Sequence, residues 1–232
     1  MMWVFKIFLL LHIAAGSVAL LSFWTAAWLR KGSPGHRRVG RLFMQAMCVV
    51  IASGLPLVIE RLLQQQWLAA LFLAYLLPLT ALPLWLAWRA VTDKHDWQGM
   101  TRRIGWSLNL WLTVVMAVLV LCVGIGWGQA LFIGYSAIGL LLGVRIWRFA
   151  RRRVQAPGWH LRLHYQSMLG VGIATHIAFL GLGLRKLLSW VQQMADLPAA
   201  WVQLFPWLAP VAVALAAAVW LERRYGRRIK SA

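Results

Sequence analysis

The sequence predicts an all-α fold: a polytopic transmembrane helical bundle of about seven spans, N-terminus out and C-terminus in. Three observations predict it. Apolar residues make up 62% of the chain and charged residues 12%, against about 25% charged in a soluble domain. That leaves too little polar surface to cover a globule in water. Apolar runs near the roughly 20 residues needed to cross a bilayer recur along the whole chain. Basic residues, finally, collect in every second connection.

The first span covers about 3–29. Only Lys6 precedes its apolar stretch, whereas Arg30 and Lys31 follow it. A secretory leader begins with a basic segment, so the expectation is a retained helix with its N-terminus outside. The second span covers about 42–60, after a loop carrying Arg30, Lys31, Arg37, Arg38 and Arg41. The third covers about 67–89 and contains Pro78 and Pro83, which lack backbone donors and should kink it. The fourth and fifth cover about 104–126 and 129–148, the inner loop before the fourth holding Arg89, Lys94, Arg102 and Arg103. The sixth covers about 164–186, after the loop with Arg145, Arg148, Arg151, Arg152, Arg153 and Arg162. The seventh covers about 206–221 and ends in Arg223, Arg224, Arg227, Arg228 and Lys230. Outside remain Lys6, Arg61, Arg185 and Lys186. This sorting is the positive-inside pattern, and it makes residues 1–232 a single integral domain of the inner membrane.

Segment 187–205 sets Trp190, Met194, Leu197 and Trp201 beside Gln192, Gln193 and Asp196. It is expected to lie in the interface as a short helix broken at Pro198. Gly139 and Gly143 on the fifth span, and Gly170, Ala174 and Ala178 on the sixth, read as close-packing steps between helices.

The formal charge of +19 does not indicate nucleic acid, because the basic residues sit in short loops between spans rather than on one soluble face. The partners it points to are the bilayer itself and anionic lipids at the cytoplasmic face, with a membrane-protein partner or a second copy left open. Cys48 and Cys122 fall toward opposite ends of their helices, too far apart for a disulfide, and read as small apolar packing residues. Enzyme constellations are sparse. Glu60 and Glu222 lie at helix ends, no Gly-rich phosphate loop or HExxH run occurs, and Asp93 and Asp96 form one inner carboxylate pair.

Function is therefore sought in the histidines, since ionisable groups inside a membrane are costly. His12 and His176 each lie about ten residues from the outer ends of their spans, roughly 14–15 Å deep at 1.5 Å per residue. Two imidazoles at one depth can share a transition metal, a haem iron or a proton path. A second tier, His36 and His164, marks the cytoplasmic face. His160 lies one turn before His164 and shares its face if the helix starts that early; Pro157 and Gly158 upstream make such a start reasonable. His95, among Asp93, Lys94 and Asp96, reads as a solvated loop residue. His164 and His176 are spaced by about 18 Å of helix, as in two-haem b-type cytochromes. Their azimuths differ by about 120°, which disfavours haems stacked on one face.

Two blocks resemble a known family. The run His12…Gly16, Lys31-Gly32 and His36-Arg37-x-x-Gly40 resembles the opening of a bacterial family of membrane proteins, domain of unknown function 2306. The block His164-x-x-x-Met168-x-Gly170, with Ile173-Ala174 and Ala178-Phe179, resembles that family's later motif. The family commonly has a serine and a threonine around the Ile-Ala pair; here Val171 or Gly172 and His176 stand there. The resemblance implies a multi-helix integral membrane protein with His36 and His164 as candidate site residues. It implies no activity.

The sequence-based expectation is a buried histidine site that binds haem b or a transition-metal ion for electron or proton transfer. His12 and His176 are the inner ligands, His36 and His164 a second site or proton entry, and Arg37 and Arg38 partners for propionates or lipid phosphates. The alternative is a non-catalytic membrane protein that binds lipid or a protein partner, or transports a small solute, with structural histidines. A membrane enzyme acting on a lipid-linked substrate is a third reading.

Overall fold

The computed structural model describes residues 2–152, 154–195 and 198–230. Among these, all regular structure is helical: α1 (Met2–Trp28), α2 (Pro34–Leu63), α3 (Trp67–Thr92), the short α4 (Trp97–Arg102), α5 (Ile104–Gly126), α6 (Ala130–Ala150), α7 (Trp159–Ala178), α8 (Arg185–Met194) and α9 (Ala199–Lys230). Six helices are long and apolar enough to cross a membrane, and the bent pair Trp159–Gly181 with Arg185–Met194 makes a seventh if counted as one span. Large apolar side chains such as Leu10, Leu21, Ile104, Val115, Leu141 and Leu215 face outward. In water that much exposed apolar surface is a liability; in hydrocarbon it is the contact the helices need. The chain is a multi-pass membrane protein.

Helix α2 begins at Pro34, eight residues before the apolar run that starts at about 42. The cause is local. Gly32 takes a left-handed φ of 80°, Ser33 accepts a hydrogen bond from the His36 amide at 3.2 Å, and Pro34 occupies the first helical turn, where its missing amide costs nothing. Arg37, Arg38 and Arg41 are thus on a helix and not in a loop.

The two outer hairpins close by one device. After α2, the Gln65 amide bonds to Leu62 O at 3.0 Å and the Gln66 amide to Arg61 O at 2.9 Å, with Gln65 left-handed at φ 59°. After α5, the Gly128 amide bonds to Ile125 O at 3.4 Å and the Gln129 amide to Gly124 O at 2.8 Å, with Gly128 at φ 64°. Both are Schellman caps, which satisfy the last carbonyls of a helix.

Helix α3 is the hub and touches α2, α5 and α7. Its Pro78 and Pro83 are both buried within a continuous helix, and the Thr113 hydroxyl of α5 donates to Pro78 O at 3.1 Å. Gly143 lies against Val114, where an added Cβ would come within 2.5 Å of Cγ2. Gly139 lies against the Tyr75 hydroxyl, which donates to Tyr135 O at 2.8 Å. These glycines serve packing.

The expected straight sixth span at about 164–186 is interrupted. Helix α7 passes into a π-helical turn at Phe179–Gly183, closed by the Leu184 amide on Phe179 O at 2.8 Å. The chain then bends by 58° into α8. Gly181 and Gly183 weaken the helix there, and an added Cβ on Gly181 would touch Pro206 of α9 at 3.6 Å. Helix α8 buries none of its side chains and presents Leu187, Trp190 and Met194 outward, the spacing of an apolar stripe suited to an interface. Asp196 and Leu197, part of the same expected segment, lie outside the described residues. Cys48 and Cys122 are free and exposed, so they face the surroundings instead of packing inside the bundle.

Candidate functional site

The proposed inner pair is not brought together. The His12 Nδ1 lies 3.0 Å from Ser53 Oγ on α2. That hydroxyl donates to Val49 O at 2.7 Å, so it accepts from His12 and the proton sits on Nδ1. His176 has a different neighbourhood. Its Nδ1 donates to Gly172 O at 2.7 Å, and its Nε2 accepts from Trp24 Nε1 at 2.8 Å. Its ring also meets the edges of Phe23 and Trp24 at centroid distances of 5.4 and 5.5 Å. Both nitrogens of His176 are taken, and no lone pair remains for a metal. Trp24 lies about 18 Å further along α1 than His12. Among the described residues the two histidines bond to different partners, His12 to Ser53 and His176 to Gly172 and Trp24.

The tier at the arginine-rich helix ends is different. The last carbonyls of α1 lack amide partners, as at any helix end. Lys31 Nζ donates to Ala26 O at 3.0 Å and Ala27 O at 2.6 Å, and His36 Nδ1 donates to Ala26 O at 3.0 Å. Desolvation there holds the Lys31 ammonium below the usual lysine range. From the other side, His164 Nδ1 donates to Ala87 O of α3 at 2.9 Å. Two half-buried imidazoles on different helices therefore each have Nδ1 anchored to a backbone carbonyl and Nε2 left to accept a proton or ligate. A carbonyl partner of this kind fixes the tautomer and orientation of a ligating histidine.

Helix α7 starts at Trp159, early enough to carry His160 one turn before His164. His95 is exposed in the turn before α4, in keeping with a solvated loop residue.

Arg37 and Arg38 do not join this site. At about 100° per residue they are turned roughly 100° and 200° around α2 from His36. With Pro34 and Arg41 they line a separate groove of about 200 Å³.

The carboxylates have structural tasks. Asp93 pairs with Arg89 and, at 3.4 Å, with Arg103, while Asp96 caps α4 by accepting from the Gly99 amide at 2.7 Å. Among the described residues, no group of three or more His, Cys, Asp or Glu is disposed to hold a metal ion. The donor set at His36 and His164 is two imidazoles, each with Nδ1 on a backbone carbonyl. It does not make a complete all-protein metal site.

A polar network joining α6, α7 and α9 had no counterpart in the sequence reading. Arg145 bonds to Gln166, Tyr165 to Glu222, and Arg162 to Glu222 at 3.0 Å. The available signal was Glu222, a carboxylate at the end of an apolar run that would need a partner.

The fold defines the class: a multi-pass helical membrane protein. No family model, no curated protein and no solved structure matches the chain.

Proposed function

We propose that this chain is an inner-membrane protein, N-terminus out, that transfers electrons or protons at its cytoplasmic face through His36 and His164. Haem b iron or a transition-metal ion is the centre they hold. The single observation that carries the reading is the matched anchoring of the two imidazoles, Nδ1 of one on Ala26 O and Nδ1 of the other on Ala87 O. When bound, such a centre supplies one-electron redox chemistry. The chain's own residues orient the two Nε2 atoms through the Nδ1 bonds to Ala26 O and Ala87 O. The resemblance of the His36 and His164 blocks to domain of unknown function 2306 belongs to the same proposal.

The test is the absorbance spectrum of the purified full chain, oxidised and then reduced with dithionite, together with elemental analysis. A Soret band with a sharp reduced α-band, or a stoichiometric metal, is expected. His36→Ala and His164→Ala should each abolish cofactor retention, while His12→Ala and His176→Ala should keep it. A featureless visible spectrum with no bound metal removes the redox reading, and retention in both cytoplasmic-tier variants removes these ligands.

A further inference from the structure

The groove on α2 is a basic surface with a different exposure from that of the histidine site. Pro34, Arg37, Arg38 and Arg41 follow the i, i+3, i+4, i+7 spacing of one helix face, and together they line a groove of about 200 Å³. All three arginines are exposed. Among the described residues, the ion pairs use Asp93 and Glu222, and Glu60 lies near the far end of α2. Among the described residues, none of the three guanidiniums is in an ion pair. A second basic groove, lined by Trp85, Arg89, Arg103, Ile104 and Gly105, provides the contrast: there both arginines are paired with Asp93.

What lies beyond the arginines on α2 selects the kind of anion. The helix is one of the six candidate membrane spans. Just past Arg41 its outward side chains are Leu42, Gln45, Cys48 and Val49, a strip that is apolar apart from Gln45 and runs toward the bilayer centre. Fixed positive charge at the headgroup level above an apolar strip matches a molecule with an anionic head and a hydrocarbon tail. Guanidinium forks also bind phosphate oxygens in pairs. We propose that Arg37, Arg38 and Arg41 form a binding site for the phosphate of an anionic phospholipid, whose acyl chain lies along Leu42, Cys48 and Val49.

The test is native mass spectrometry of the purified full chain titrated with phosphatidylglycerol, with phosphatidylcholine and with inorganic phosphate. Selective retention of phosphatidylglycerol is expected. Each single change, R37Q, R38Q or R41Q, should weaken it about fivefold, and the triple change by at least about tenfold, as expected for basic groups near an anionic surface. The single variants keep the test open should the triple variant fail to fold. A charge-matched control, R148Q/R151Q/R152Q, should bind as the parent does. Equal loss in the control, or undiminished retention in the single variants, overturns the site. Inorganic phosphate that binds as tightly as the lipid and displaces it fully would assign the groove to a free anion and overturn the lipid.

Discussion

At the residue scale, the histidines differ in what their second nitrogen does. His176 spends both ring nitrogens on protein, one on Gly172 O and one on the Trp24 indole. His36 and His164 each spend one, as does His12. A direct check is Trp24→Phe, which keeps the ring edge against His176 but removes the indole donor. A loss of about 1 kcal/mol is expected, the net worth of one such bond, seen as a lower thermal midpoint in detergent. Cofactor retention should not change, because Trp24 belongs to the structural histidine. This distinction was not legible in the sequence. Counting from the end of each span gave His12 and His176 the same depth, but depth along a helix says nothing of azimuth or of lean. The anchoring of His36 was equally hidden, since its acceptor is a carbonyl freed only because α1 stops at Trp28. Their place at the arginine-rich ends of the spans, and the family resemblance, bring His36 and His164 forward as candidates.

At the scale of elements, the sequence was legible wherever hydropathy and punctuation agreed. The reading of about 104–126 for the fourth span matches α5 at Ile104–Gly126, because arginines bound it on one side and Trp127-Gly128 on the other. It misplaced the start of α2 because charge was taken as the end of helix, although Ser33-Pro34 is a readable start signal. It also missed the π-helical turn at Phe179–Gly183, where Gly181 packs beside Pro206 from a distant part of the chain. The paired Schellman caps yield a prediction at this scale. Gly128 adopts its left-handed φ freely, while Gln65 adopts the same region against a cost of about 1–2 kcal/mol for an L-residue. Gly128→Ala should therefore destabilise by about 1 kcal/mol. Gln65→Gly should stabilise by somewhat less, because glycine also loses more chain entropy on folding. Thermal midpoints of the two variants against the parent should move in opposite directions.

At the scale of the molecule, the apolar exterior and the sorting of arginines together made the membrane class readable without coordinates. The orientation they imply can be measured. With Cys48 and Cys122 replaced by serine, a single cysteine at Gln65 should react with a membrane-impermeant maleimide in intact cells. One at Gln98 should react only after permeabilisation. The reverse pattern would invert the topology and place the histidine cluster on the outer side.

The connectivity around α3 gives this arrangement a mechanical side. His36 is tied to the end of α1, and α1 packs chiefly on α2, meeting α7 more lightly. His164 is tied to α3, which packs against its own helix α7. Each imidazole is thus a passenger on a different helix pair, and anything gripped by both becomes a strut between them. Sliding one pair by a single residue moves its passenger about 1.5 Å, several times the roughly 0.2 Å tolerance of a metal–ligand bond. Occupancy at the cytoplasmic end and the relative seating of the two halves would then be a single coupled variable, legible as a ligand-dependent shift in the temperature at which the halves come apart.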